Sequence, residues 1–283
     1  MDDFFVIKSS DLSIHFVYTQ KPEQSSFTMH THEEYELYYF VSGCGTFVVE
    51  GNEYKLESGD IIILNCSEAH YFRIDDDSVP YIRMTINFTH KLFSELDRNN
   101  ELFKAFDNRE KGQMNRYKAI EFESPYHRVL MNNLITNVEN KRLQTTANLL
   151  LLLYEISVAF EKKDVLPLQS TLGGDIIKYI NNHLLELITL DDLCREFHIS
   201  KTHLCRVFKN ATGTTVNNYI ITKRLIHANE LIGVGIKPMK AYLLSGFNNY
   251  TVFYKAYKKR YQVSPSVQCA QGKSAVPAAA HGD

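Results

Sequence analysis

Residues 190–212, LDDLCREFHISKTHLCRVFKNAT, decide how the chain is built. Leu190, Leu193 and Phe197 recur at steps of three and four, which predicts a short helix with one buried stripe. Leu204, Val207 and Phe208 repeat the pattern in a second helix, with Ser200 as its cap and Phe197-His198-Ile199 as a tight turn between the two. The second helix leaves Lys201, Thr202, His203, Cys205, Arg206 and Lys209 facing water. A short helix pinned from behind by apolar side chains, with cationic and polar groups outward, has the build of one that enters a DNA major groove.

The charge distribution supports that reading. The 283 residues carry a net charge of only −2. Residues 1–172, however, hold 17 Lys and Arg against 26 Asp and Glu, whereas residues 173–268 hold 13 against 6. The basic charge is confined to the half that contains the helix pair. Five widely spaced cysteines without a C-x-x-C pattern suggest neither a disulfide framework nor a zinc knuckle, so reduced cytosol is the expected location. The N-terminus, MDDFFVIKSS, does not read as a signal peptide. The most apolar stretch, Ala147 to Ala159, is expected to be too short to span a bilayer, so no membrane partner is expected.

Outward from the opening stretch, the basic half resolves into seven expected helices. Ile176, Ile177, Ile180 and Leu184 stripe the first, and Thr189 with Asp192 forms a capping box before the second. After Gly213, Thr214 or Thr215 begins a long helix with Ile221, Leu225, Ala228 and Ile232 on one side. Pro238 suits a first helical position, Gly246 a turn, and Asn249 the cap of a helix running to about Arg260. The helix-turn-helix pattern therefore occurs twice. Two reading helices joined by one spacer could enter successive major grooves about 34 Å apart. Positive charge at Lys258, Lys259 and Arg260 also suits a helix C-terminus without any DNA.

Leu190-x-x-Leu193, Ser200-x-x-x-Leu204-x-Arg206-x-Phe208-Lys209, Thr212-Gly213, Tyr219-x4-Arg224-Leu225-x-x-Ala228, Gly246-Phe247, Phe253, Lys258 and Ser264-Pro265 together resemble the signature of the AraC/XylS transcription regulators. The resemblance spans about residues 175–267. It implies an all-α domain with two helix-turn-helix units. By position it implies base-reading roles for Thr202, Cys205 and Arg206 in the first unit, and for Tyr250, Thr251, Tyr254 and Lys255 in the second, with Asn249 beside them. Tyr242 stands where alanine is usual and Gln262 where glycine is usual, which bears on the packing of the second unit.

Residues 1–90 read as β-structure. Tyr35 to Val41, Gly45 to Glu50, Glu53 to Leu56, Asp60 to Leu64 and Tyr81 to Phe88 are short runs rich in β-branched and aromatic residues, separated by turn signals. In Tyr81 to Phe88, alternation puts Ile82, Met84, Ile86 and Phe88 on one face and Tyr81, Arg83, Thr85 and Asn87 on the other. His30-x-His32-x3-Glu36-x6-Gly43, followed by Gly59-Asp60 and His70, is similar in spacing to the cupin fold, which implies a jelly-roll barrel. Asn65 and Ile74 depart from the residues usual in cupin enzymes. His30, His32, Glu36, Tyr38, His70 and Arg83 are the candidate effector-binding residues, and His30, His32, Glu36 and His70 could alternatively hold a divalent metal. The same histidines and glutamate could also simply bond one another. No other cofactor is expected.

From 91 to 163 the period turns helical, with Leu130, Leu134 and Val138 at steps of four and then LLLLLYEISVAF, apolar nearly all round. That surplus of apolar surface marks the segment as the candidate dimer element. Residues 164–174 read as a linker, and 268–283 as a disordered tail. The expected fold class is α+β, and the expected function is a DNA-binding regulator, an activator in view of the family, controlled by a small molecule such as a sugar. Its expected partners are promoter half-sites of double-stranded DNA, the effector, RNA polymerase and a second copy of the chain. A metal-sensing regulator of the same fold is the alternative. A cupin enzyme is disfavoured, because catalysis in the barrel gives no reason for a basic double helix pair.

Overall fold

The computed structural model describes residues 2–24, 27, 29–122, 125–136, 142–163 and 171–273. The chain divides into two compact units, Met1–Thr171 and Leu172–Asp283.

The first unit contains β1 (Asp2–Lys8), β2 (Leu12–Thr19), β3 (Tyr35–Ser42), β4 (Gly45–Val49), β5 (Asn52–Lys55), β6 (Ile61–Leu64), β7 (His70–Ile74) and β8 (Tyr81–Phe88). They are followed by α1 (Lys104–Asp107), β9 (Arg116–Tyr117), α2 (Tyr126–Thr136) and α3 (Arg142–Glu161). Two antiparallel sheets result, one of order β1-β2-β8-β3-β6-β9 and one of order β5-β4-β7. The period of two then sorts side chains into two cores. Tyr38, Phe40, Ile62, Leu64 and Tyr81 turn inward to meet Phe47, Val49 and Phe72 of the small sheet. Leu37, Ile61, Ile63, Met84, Ile86 and Phe88 turn outward and pack with Leu130, Leu134, Leu149 and Leu152 of the helices. All four residues of β6 are buried because both its faces are covered.

The region after residue 90 is not wholly helical. β9 pairs with β6, burying Tyr117 completely, and Arg116 Nε donates to the Asp60 carboxylate at 2.8 Å. Two residues are too few to show a period. The apolar stretch Ala147 to Ala159 belongs to a helix of 20 residues, α3, which by length and composition alone could cross a membrane. One side of it, however, packs into the core through Leu149, Leu152, Leu153 and Ile156, as a core helix of a globular unit does.

The second unit holds α4 (Leu172–Asn182), α5 (Leu190–Glu196), α6 (Lys201–Thr212), α7 (Val216–Gly233), α8 (Pro238–Leu244), α9 (Tyr250–Tyr261) and α10 (Pro265–Lys273). The caps fall on the expected residues: Thr189 and Asp192 form a capping box, while Ser200, Thr215 and Asn249 each accept from the backbone three residues on. Two boundaries differ from expectation. Residues 164–170 of the expected linker lie outside the described residues, but Leu172 to Gly174 already belong to α4. Gly173 is there for packing, since a Cβ on it would lie 2.5 Å from Ala211 Cβ on α6. Gln268 to Lys273, expected in the tail, continue α10, where Cys269 is buried against Leu225 and Ile232 of α7. Residues 274–283 lie outside the described residues.

Candidate functional site

A cavity of about 330 Å³ opens between the two sheets. Its floor is the inward face of β3 and β8, so Glu36, Tyr38, Arg83, Thr85 and Asn87 all line it. His70 enters from the first position of β7. His30 and His32 lie outside the named strands. Instead, the segment makes a single bridge, in which His30 and His70 exchange backbone hydrogen bonds of 3.0 and 3.1 Å.

Two imidazoles here have fixed tautomers. His32 Nδ1 donates to the Glu34 carbonyl at 2.7 Å and His70 Nδ1 to the Glu68 carbonyl at 2.8 Å, because a carbonyl can only accept. Their Nε2 atoms therefore turn toward Glu36, at 2.7 Å from His32 and 3.9 Å from His70. The nearer contact lies off the axis of a good hydrogen bond, and both Nε2 atoms are buried without such a partner. Burial opposes charge on His32, but the adjacent Glu36 carboxylate outweighs it and holds the imidazole above its usual pKa. Burial likewise opposes charge on Glu36, yet His32 beside it holds that carboxyl far below its usual range. Burial dominates at His70 and pushes its pKa down to about 3.

The loop that carries Glu68 is itself clamped. Arg109 grips the buried Glu68 carboxylate with both guanidinium nitrogens at 2.7 Å, and the Gly112 and Asn65 backbone amides add further bonds. Ser67 N also donates to the His32 carbonyl at 3.0 Å. This shell sets the direction of the His70 ring. His32, Glu36 and His70 bring three ligand atoms within 4.8 Å of one another, a nitrogen and carboxylate set that fits a divalent cation. His30, the fourth expected ligand, is not part of that trio and sits at the more exposed mouth, its ring centroid 4.3 Å from that of His70. His15, Phe27, Thr85 and Asn87 also line the cavity and were not among the expected site residues. The alternation of Tyr81 to Phe88 already placed Thr85 and Asn87 beside Arg83, whereas nothing in the sequence had singled out the strand that carries His15.

In the second unit the same construction appears twice. α5 and α8 are seven residues each, and α6 and α9 twelve each. Leu204 and Phe208 anchor α6 with no exposed surface, each contributing on the order of 1.5–3 kcal/mol. The opposite side presents Thr202, Cys205, Arg206 and Lys209 at steps of three, one and three, all exposed, with Lys201 beside them and His203 half-buried. Arg206 makes no ion pair among the described residues. On α9 the equivalent stripe is Thr251, Lys255 and Lys258, all exposed, with Tyr254 half-buried among them. Tyr250 is less available than Thr251, because its ring packs edge-on to Tyr242 at 5.4 Å and against Phe253. Tyr242 thus supports the first turn of α9. Arg224 is structural, since its guanidinium bonds the Leu184 and Glu186 carbonyls. Gly246 is required by its left-handed φ of 76° and by the Leu185 backbone, 2.9 Å from any Cβ placed there.

The family model for the AraC-like ligand binding domain matches residues 14–155, and a helix-turn-helix domain model matches residues 193–268. The chain is 22% identical over 282 residues to the HTH-type transcriptional activator RhaS of Escherichia fergusonii, covering 96% of each chain. It is 24% identical over 238 residues to the uncharacterized HTH-type transcriptional regulator YbfI of Bacillus subtilis, covering 82% of this chain and 83% of that one. Among solved structures it is similar to ToxT from Vibrio cholerae, at 13% identity and a TM-score of 0.42, covering 92% of this chain and 98% of that one. The two-sheet unit with its cavity and the helical unit with its repeated helix pair correspond to the two matched domains, and the chain belongs to the AraC family of transcriptional regulators.

Proposed function

We propose that this regulator binds promoter half-sites of double-stranded DNA through α6 and α9 and answers to a small hydroxylated effector, of the size of a sugar, held between the sheets of the first unit. The repeated seven- and twelve-residue helix pair, each long helix presenting an exposed polar stripe, carries the DNA reading. The cavity, with Glu36, His32, Asn87 and Thr85 able to bond hydroxyl groups, supports the effector reading. Likeness to the activator RhaS favours activation in concert with RNA polymerase. Action as a homodimer agrees with the exposed apolar stripe Leu143, Ala147, Leu151 and Tyr154 on α3.

The test is an operator selected from random duplexes and then titrated with the full chain. Arg206→Ala is expected to weaken specific binding by about 1–3 kcal/mol, or roughly 5- to 150-fold, with the thermal melt unchanged. Equal affinity of the variant at a footprinted site would overturn the assignment.

The bare Nε2 atoms of His32 and His70 favour a second reading, in which a divalent cation is the signal. His32, Glu36 and His70 would hold it, and the cation would supply an open coordination position toward the cavity. Metal content of the purified chain, and its loss in His32→Ala, separate this reading from a purely organic effector.

A further inference from the structure

The inner face of the large sheet is graded in charge along its strands. In register, Asn87 lies opposite Glu36, Thr85 opposite Tyr38 on one side and His15 on the other, and Arg83 opposite Phe40. Same-face residues two apart are roughly 6.6–6.8 Å apart along a strand, so the carboxylate row and the guanidinium row are separated by about 13 Å. One end of the cavity holds Glu36 with its histidines. The other holds Arg83.

Arg83 differs from its neighbours in how its charge is met. The other half-buried arginines of this unit each hold a carboxylate: Arg73 pairs with Glu53, Arg109 with Glu68 and Arg116 with Asp60. Arg83, also half-buried, has no carboxylate within ion-pair reach among the described residues. Its Nη1 donates to Thr85 Oγ1 at 3.3 Å, and its guanidinium carbon stands 6.0 Å from the Tyr38 ring centroid. A guanidinium offers five donors in a planar fork that matches a carboxylate or phosphate, and Arg83 lines the cavity with a single hydrogen bond among the described residues, to Thr85.

We propose that Arg83 is an anion subsite, and that the effector of this regulator carries a carboxylate or phosphate group seated on it. The ligand's hydroxyl-bearing remainder runs along Thr85 and Tyr38 toward Glu36. A sugar acid or a phosphorylated sugar fits this grading, and a neutral sugar leaves the guanidinium unmet. The proposal rests on the reading of the cavity as an effector site.

Two measurements on the full-length chain test it. In the first, inorganic phosphate and acetate are titrated while the Arg83 Nε–Hε resonance, identified by its loss in Arg83→Gln, is followed by NMR. A saturable shift in the millimolar range is expected, and no saturable shift with either anion would overturn the subsite. In the second, a metabolite panel sorted into neutral, anionic and cationic classes is screened by thermal shift. Stabilisation by anionic members is expected, weakened at least tenfold in Arg83→Gln and partly kept in Arg83→Lys. Whether the hits are carboxylates or phosphates names the group. Hits confined to neutral compounds with an unmoved Arg83 resonance would overturn the subsite and leave the effector reading standing. A saturable shift with no metabolite of any class stabilising the protein would support an anion site and overturn the effector reading.

Discussion

Two residues show how much a single backbone or side-chain choice carries. Helices α6 and α9 end alike in the left-handed region, at Gly213 with φ 70° and at Gln262 with φ 60°. Glycine adopts that conformation without a Cβ penalty, whereas glutamine does not, although Gln262 recovers one bond from its side chain to the Lys259 carbonyl. Gln262→Gly is therefore expected to stabilise the second unit by about 0.5–1 kcal/mol, read as a higher denaturant midpoint with unchanged slope. The second residue is His70, neutral in the folded chain because burial pushes its pKa down to about 3. Unfolded histidine titrates near 6.5, so between these values the unfolded chain takes up a proton that the folded chain refuses. Stability of the metal-free first unit should fall as pH drops below about 6.5, by up to about 1.4 kcal/mol per pH unit. His32 runs the other way: its raised pKa gives stability that is full at low pH and fades as pH rises through its folded value. Glu36, with its pKa depressed, gives stability above about pH 4.3 that is lost in stronger acid, below this window. Urea melts at pH 6.5 and 5.0 with chelator present should show the loss, and His70→Asn should flatten it.

At the scale of the element, what could be read in advance followed from local rules. Caps at Thr189, Ser200 and Asn249, proline at the first position of α8 and the three-four spacing of Leu204 and Phe208 each act within a turn or two, so the helices of the second unit were legible. β8 was legible to the residue, because one strand between two cores must alternate. What stayed hidden depended on partners distant in sequence. Gly173 has the look of a linker glycine until Ala211 is placed against it. β9 is two residues long, and its reason for being is Asp60 and the edge of β6. In the cavity, Glu36, His32 and His70 could be grouped from spacing, but the clamp of Arg109 on Glu68 joins positions 41 residues apart and left no local trace. The two helices proposed to read DNA also make an element-scale prediction. Lys209 on α6 and Lys255 on α9 stand exposed on equivalent sides, and each contact to a phosphate displaces about one counterion. Replacing Lys255 with Ala should flatten the dependence of log affinity on log salt by about 1, similarly on any sequence. A slope unchanged by the substitution would remove α9 from the phosphate-contacting surface.

For the whole molecule, α3 connects the interior of the first unit to what lies outside it. Its buried side meets the sheet, while Leu143, Ala147, Leu151 and Tyr154 face outward at helical spacing, Leu143 being 86% and Tyr154 58% exposed. A stripe of this kind suits a self-complementary contact about a twofold axis. Leu151→Asp with Tyr154→Asp is expected to raise the dissociation constant of the proposed dimer at least tenfold in sedimentation equilibrium without lowering the melting temperature. An unchanged molecular mass would place the contact elsewhere. The same sheet gives the cavity and the helices a shared wall. β8 turns Arg83, Thr85 and Asn87 to the cavity while Met84, Ile86 and Phe88 press on the helical layer. That partition is a single chain thick, and side chains on its two sides hang from consecutive peptide units. A displacement of the strand on the cavity side is therefore carried to the helical side through consecutive peptide units, which is the shortest path by which the proposed effector would act on the helices.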